Sequence, residues 1–521
     1  MDRDKWIQAF GVASVTLGCV LFLRRSSTFQ RRQISPRKSI FEMRKLTKEV
    51  SLDLTEHKSI LIDTENGLLA PRLLLTDSRN IQLNPMLGLG QKEDVQSGQN
   101  FMPDSIFSKV GGYINANSAF SSEFLKEGSV YLVRSAPRKE IVMNPHHTKV
   151  AIVTCGGLCP GLNVVIRELV MCLYFNYGTT EIYGIVNGYK GFYTEGCIKR
   201  LTPEYVSEIH TKGGTILKSS RGGWDLQKIS ESIESHGFTQ IFIIGGDGTH
   251  RGITALVNEM GRLNKFVSVV GIPKTIDNDI PIIDKSFGFD SSVEEAQRAI
   301  DSADVEANSV EYGIGLVKLM GRNSGFIALN SSISNRNVNL CLIPESEYEL
   351  NGPNGVYNYV VNRLKVKGHA VIVVAEGAAS ACKDEKLENS GKDASGNPVL
   401  FDIGKYLKDG IVKACKAAGV DATLKYIDPT YMIRTVAANA SDRILCTMLA
   451  QGAVHGAFAG FTGFSVGTVA GQIVYIPVEL MTTICEGKGS SPGQRKVDVD
   501  NNLMWWRLMA STGQPSLINT R

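Results

Sequence analysis

No two of the ten cysteines in this 521-residue chain stand at CxxC spacing. The closest pair, Cys155 and Cys159, lies in a glycine-rich stretch with no second pair and no histidine cluster, which argues against a zinc site. Scattered, unpaired thiols fit a reducing compartment. There is no internal repeat, so the length does not come from a duplicated catalytic unit. Low-complexity sequence is missing too; only residues 383–398 form a polar, glycine-bearing stretch that reads as a surface loop. Acids are scarce at the start, where residues 1–50 hold eleven Lys/Arg against four Asp/Glu. That segment carries +7 and the remainder −3, so the overall +4 belongs to the amino terminus. The mildly acidic body gives no sign of a nucleic-acid partner.

Charge is absent altogether from Trp6 to Leu23, and Arg24 and Arg25 follow. As a helix this run would span ~27 Å, at the short edge of what crosses a bilayer. A single membrane anchor is the favoured expectation. Arg24, Arg25, Arg31, Arg32, Arg37 and Lys38 outnumber Arg3 and Lys5, which leaves the body on the cytosolic side. A cleaved organelle-targeting peptide is the alternative, since the following Ser/Arg/Gln stretch has no acid before Glu42. A local hydrophobic docking helix is a third reading.

The chain is too long for one simple core, and two or more lobes are expected. Residues 1–25 read as the anchor or targeting segment and 26–48 as a basic linker. Residues 49–145, with Pro71, Pro85 and Pro103, read as an extension on the main body, and 146–515 as the core. From His146 the pattern becomes βαβ. Apolar runs suited to strands buried on both faces occur at 150–154, 182–186, 241–244, 267–271, 313–318 and 370–375, with helices between them. Open parallel sheets bind ligands at the carboxyl ends of their strands, where most of the glycine and acid motifs fall.

Three of those motifs carry chemistry. Gly156, Gly157 and Gly161 lie between a strand and a helix, where backbone N–H groups and a helix start favour an anion; many βα turns look the same. Gly245-Gly246-Asp247-Gly248-Thr249 pins an aspartate among glycines at a strand end, where it can hold magnesium beside nucleotide phosphates. NAD kinases and diacylglycerol kinases carry such a loop as well. Lys274-Thr275-Ile276-Asp277-Asn278-Asp279 leaves the next strand, and a carboxylate there can take a proton from an attacking hydroxyl. Asp277 is favoured as that base, with Asp279 capping the turn or sitting near the metal. His250 reads as a helix-start residue.

With these loops, TCGGLCPGLN from Thr154 to Asn163, KLMGR from Lys318 to Arg322, AEG from Ala375 to Gly377 and YIDPTYMIR from Tyr426 to Arg434 stand in one order. The chain thereby resembles the 6-phosphofructokinases, and more closely their ATP-dependent plant and protist branch, over roughly residues 130–515. The resemblance implies an α/β, two-lobed fold with mostly parallel sheets flanked by helices, plus an N-terminal extension. It implies transfer of the γ-phosphoryl of ATP to O1 of fructose 6-phosphate, with Mg2+ as cofactor. By position, Gly157, Arg221, Gly222, Gly246, Asp247, Gly248 and Thr249 should meet ATP, with Asp247 on the metal. Thr275, Ile276 and Asp277 should meet the sugar near O1. Met320, Gly321 and Arg322 should bind sugar and transferring phosphate, Glu376 sugar hydroxyls, and Tyr431, Met432, Ile433, Arg434 and Lys425 the 6-phosphate end. Thr275, Asp277 and Arg322 form the implied catalytic set.

Bacterial members place an arginine where Gly313 stands, so one phosphate-binding cation must come from elsewhere. The pocket is shared between subunits in that class, and a homo-oligomer, a tetramer, is expected. Gly248 and Lys274 bear on the donor: pyrophosphate-using members have an acid at the first position and a lysine at the second. Glycine at 248 leaves the α-phosphate space open, which favours ATP. The other readings are a pyrophosphate-dependent enzyme, a NAD or lipid kinase, and a non-catalytic regulatory subunit.

Overall fold

The computed structural model describes residues 131–384, 387, 391, 399–485 and 494–519, with short strands at 61–63, 68–70, 72–73, 82–83 and 113–115. The apolar segment at 6–23, the linker at 26–48 and most of the 383–398 loop lie outside the described residues. Among the described residues no helix is long and apolar enough to cross a membrane.

The βαβ pattern resolves into two sheets. The larger contains β1 (Lys149–Thr154), β2 (Glu181–Ile185), β3 (Gln240–Gly245) and β4 (Ser268–Pro273). The smaller is formed by β5 (Gly313–Leu319), β6 (Leu340–Leu342), β7 (His369–Ala375) and β8 (Thr423–Ile427). Two further strands, β9 (Phe464–Val469) and β10 (Gln472–Pro477), return to the larger sheet. Its order through the core is β10-β9-β4-β3-β1-β2, and the small sheet runs β6-β7-β5-β8. All three pairings of the small sheet are parallel. In the large sheet β2, β1, β3, β4 and β9 are parallel neighbours, while β10 is antiparallel. The extension expected at 49–145 continues this sheet beyond β10 through Tyr131–Arg134, on which Leu68–Ala70 and Tyr113–Asn115 pair.

Every residue of β3 and β4 is buried. That is why both read as largely apolar runs, with polar side chains only at their first residues, the buried Gln240 and Ser268: each face packs on helices. From β1 the chain winds one way to β2 and then to the other side for β3 and β4. The strand order therefore reverses between β1 and β3, where open α/β sheets form a ligand crevice beyond the carboxyl ends of their strands. Four helices frame that crevice: α1 (Leu162–Met171), α2 (Asp247–Arg262), α3 (Phe289–Asn308) and α4 (Phe326–Ser334). Among the helices that follow, those that bear on the site are α5 (Thr430–Thr435), α6 (Ala440–Phe458) and α7 (Leu503–Thr512).

Candidate active site

The two acid loops leave adjacent strands in register, with Gly245 of β3 opposite Pro273 of β4. The Lys274 amide donates to the Gly245 carbonyl at 3.0 Å, so the loops start side by side. Asp247 is the first residue of α2, and the amides of Thr249 and His250 turn back to the Gly246 carbonyl at 2.9 and 3.1 Å. This makes the loop a helix start, where backbone N–H groups favour negative charge. Gly248 is exposed, and a Cβ built there would find only Arg251 Nη2, 4.0 Å away. The space beside it is open to a ligand.

The glycine turn after β1 faces these loops. Lys274 is buried, and its Nζ donates to the Gly157 carbonyl at 2.9 Å. Burial lowers its pKa, with Arg221 nearby adding to the effect. A Cβ on Gly157 would stand 3.7 Å from Arg221 Nη2, and the Ser220 carbonyl accepts from the Gly156 amide at 3.1 Å. Gly157, Arg221, Lys274 and the start of α2 thus enclose one cationic, amide-lined crevice. Gly222, next to Arg221, is exposed.

Beside this crevice lies a cluster of acids. Asp279 is buried, at 8% exposure, and accepts from Thr275 Oγ1 at 3.3 Å. Burial, then the neighbouring Asp247 carboxylate, push its pKa up to about 6. Asp277 is half-buried, and its Oδ1 is enclosed without a hydrogen-bond partner. Burial raises its pKa well above the ordinary carboxylate range, and Asp279 and Glu376 add to the rise; Arg322 and Lys274 oppose it. Two hydrogen bonds fix its backbone: the Asp277 amide donates to Thr275 Oγ1 at 3.1 Å, and Ser324 Oγ donates to the Asp277 carbonyl at 3.1 Å. Ile276 is buried behind the loop.

Ser324 lies in the loop after β5 of the small sheet, whose loops close the site from the other side. Leu319 of β5 and Ala375 of β7 are register partners, so Met320-Gly321-Arg322 and Glu376-Gly377 emerge together. Gly321 has φ +131°, and a Cβ there would lie 2.4 Å from the Ser324 carbonyl, so only glycine makes this turn. Glu376 has its pKa raised by burial and held down by Arg322 and Lys318. Lys318 pairs with Asp428 at 2.8 Å and with Asp402 at 3.6 Å.

The 6-phosphate candidates divide. On α5, Ile433 is buried, while Tyr431 and Met432 are 72% and 65% exposed. The Arg434 guanidinium stacks 4.8 Å from the Tyr431 ring, and its Nε is buried without a partner. Lys425 lies midway along β8, opposite Gly315, and pairs with Glu306 at 3.7 Å. Within one chain it is not gathered with Arg322 and Glu376. Gly313 opens β5, and a Cβ there would strike the Ala307 carbonyl at 2.0 Å. An arginine is excluded at this position by packing against the end of α3.

His250 is buried under the site, with Nδ1 at 3.0 Å from the Gly246 carbonyl and Nε2 at 3.0 Å from Ser465 Oγ. It secures the helix start, and burial lowers its pKa. The sequence pattern missed Ser324 and the stretch 494–497. Gln494 Nε2 donates to Asp247 Oδ2 at 2.8 Å, and the Arg495 amide donates to the Asp279 carbonyl at 2.8 Å. No glycine pattern or acid spacing marks those residues; only their tertiary neighbours do.

One crevice therefore joins an anion-binding helix start and a buried cation to a group of acids. Arg322 and Glu376 face them from the loops of the small sheet. The family model for phosphofructokinase matches residues 149–457. The chain is 50% identical over 392 residues to ATP-dependent 6-phosphofructokinase 7 of Arabidopsis thaliana, covering 75% of this chain and 79% of that protein. It is 48% identical over 394 residues to ATP-dependent 6-phosphofructokinase 4, chloroplastic, of the same plant, covering 75% and 72%. Among solved structures, a pyrophosphate-dependent phosphofructokinase from Marinobacter aquaeolei matches with a TM-score of 0.56 over 71% of this chain and 92% of that one. Its identity is 16%, a likeness of fold alone. Motif order, sheet topology and these matches agree: the chain belongs to the phosphofructokinase family.

Proposed function

We propose that this protein transfers the γ-phosphoryl group of ATP to O1 of fructose 6-phosphate, giving fructose 1,6-bisphosphate and ADP in glycolysis. The observation that carries this reading is Asp277 Oδ1, a buried carboxylate oxygen with no partner, set between the phosphate crevice and the Arg322–Glu376 pair. Leaving such an atom unpaired costs stability, on the order of 1–3 kcal/mol or more for a charged group. A substrate hydroxyl supplies the missing hydrogen bond. Asp277 then accepts the O1 proton as the alkoxide attacks, and its raised pKa makes it a stronger base for that step. Thr275 holds the loop. Arg322 neutralises charge on the transferring phosphoryl group, while Glu376 accepts from sugar hydroxyls. Met320 and Gly321 shape the same wall, and Tyr431 to Arg434 receive the 6-phosphate end.

Mg2+ fits the residues present. Asp247 and Asp279 are neighbouring hard-oxygen donors whose mutual repulsion a divalent ion relieves. Among the described residues no cluster of three His, Cys, Asp or Glu side chains could hold a metal by itself. Two carboxylates completed by water and phosphate oxygens are the usual setting for this ion. When bound, it neutralises the phosphate oxygens and orients the γ-phosphoryl group.

Gly248 favours ATP over pyrophosphate, because its open flank admits an α-phosphate that an acidic side chain would repel. The relatives of about half identity are named as ATP-dependent, which supports the same donor. A coupled assay with fructose 6-phosphate and magnesium, run with ATP and with pyrophosphate, tests the proposal. Turnover confined to pyrophosphate, or absent with both, overturns it.

A homo-oligomer, a tetramer, completes the sugar-phosphate end. Exposed Tyr431 and Met432 beside Arg434, and outward-lying Lys425, support a pocket finished by a neighbouring subunit. Light scattering on the purified protein measures the assembly. For the compartment, the match to a protein named as chloroplastic supports an organelle address. The uncharged run at 6–23 supports instead a membrane contact with the body in the cytosol. Fusing residues 1–45 to a fluorescent reporter decides between them.

A further inference from the structure

Residues 494–497 cross the mouth of the site and touch the loops that follow four strands. Gln494 meets Asp247 after β3, and the Arg495 amide meets the Asp279 carbonyl after β4. Gln494 Oε1 accepts from Asn323 Nδ2 at 2.6 Å, in the loop after β5, and the Val497 amide donates to Glu345 Oε1 at 2.8 Å, after β6. The crossing is anchored. Arg495 Nη1 donates to the carbonyls of Ile283 at 3.2 Å and Asp284 at 2.7 Å, and its guanidinium lies 4.9 Å from the Phe326 ring.

The Gln494 amide is oriented by chemistry. A carboxylate only accepts, so the NH2 end must face Asp247; the carbonyl end then faces Asn323, which must donate. One side chain thus bridges an acid of the large sheet to the neighbour of Arg322 in the small one. The geometry points to Gln494 as a positioning residue that orients the Asp247 carboxylate for the divalent ion and ties it, through Asn323, to the loop carrying Arg322. This rests on Asp247 holding the ion, as proposed above. Asp247 is only half-buried, so without this bond its carboxylate is free to turn outward. Outer-shell partners of metal ligands commonly change metal affinity or activity by ~10–100-fold.

The test is Mn2+ binding, read by electron paramagnetic resonance on the full-length protein with a non-hydrolysable ATP analogue. Gln494→Ala, the longer apolar Gln494→Met, Asn323→Ala and Asp247→Asn are compared with the unaltered chain. Gln494→Ala and Gln494→Met should each weaken Mn2+ binding about tenfold. Both should lower kcat with little change in the KM for fructose 6-phosphate. Asn323→Ala should act in the same direction, and the double Gln494→Ala/Asn323→Ala variant should lose no more than the worse single change. Unchanged Mn2+ binding in both Gln494 variants overturns the inference, even if thermal stability falls, because mere strapping would produce that. Fully additive losses in the double variant overturn the bridge as well. If Asp247→Asn leaves Mn2+ binding intact, the metal reading of Asp247 itself fails, and the inference fails with it.

Discussion

The carboxyl ends of the large and small sheets meet in one crevice but are built differently. On the large-sheet side the loops leave things open: Asp277 Oδ1 has no partner, Gly248 has a bare flank, and Asp279 and Asp247 repel each other. On the small-sheet side the loops mostly satisfy themselves. Lys318 is paired with Asp428, and Glu345 Oε1 accepts from the amides of Gly325 and Val497 at 2.9 and 2.8 Å. Glu345 Oε2 is itself a buried oxygen without a partner, as Asp277 Oδ1 is. The difference lies in their neighbours: Asp277 faces Arg322, Lys274 and two other acids, whereas the companion oxygen of Glu345 holds two backbone amides. An orphaned atom points to chemistry when its surroundings are unfinished, and to structural support when they are closed.

Changes on the open side should therefore strike turnover and ligand binding, and changes at the self-satisfied contacts of the small sheet, away from Arg322 and Glu376, should strike stability. The largest effect is expected from Asp277→Asn, which keeps the shape and removes the proposed base. Turnover should fall by ~10²–10⁴-fold with substrate binding largely spared. Near-normal kcat in the purified variant would remove Asp277 from the mechanism. Next is Gly248→Asp. A like charge against the α-phosphate costs several kcal/mol, so the KM for ATP should rise by ~10²-fold, with fructose 6-phosphate binding little affected. An unchanged KM for ATP would contradict the open-flank account.

The acid pair offers a pH test. The folded-state pKa of Asp279, about 6, lies above the 3.8 of a free aspartate. The native protein therefore holds this proton more tightly than the unfolded chain does. That contribution to stability is complete below pH 3.8 and is lost as pH rises through about 6. A shift of this size corresponds to on the order of 3 kcal/mol. In the metal-free protein the unfolding temperature should decline less between pH 5 and 7.5 in Asp279→Asn than in the unaltered chain. Parallel declines would rule out this origin. The smallest expected effect lies on the closed side. Lys318→Met removes the ion pair of Asp428, which is exposed and still accepts from Thr430, so it should cost about 1 kcal/mol or less; unfolding should come slightly earlier while the KM for ATP stays the same. A raised KM for ATP would erase the contrast between the two ends.

Much of this was legible in the residues. The buried parallel strands appear as apolar runs, since a strand covered on both faces has no polar position to betray its pleat. The acid loops appear because phosphate and metal demand glycine and carboxylate at strand ends. Strand β8 was not read, because its exposed Thr423 and Lys425 interrupt any apolar run at a sheet edge. Nor was the crossing at 494–497, whose partners lie some 150 to 250 residues away in sequence.

The sequence by itself determined the order of the elements, the two acid loops and the family, because each rests on local backbone and side-chain chemistry. Only the tertiary structure decided which atoms were left without partners, that Gly313 has no room for a cation, and that Gln494 rests on Asp247. These depend on which distant strands become neighbours, and packing alone sets that.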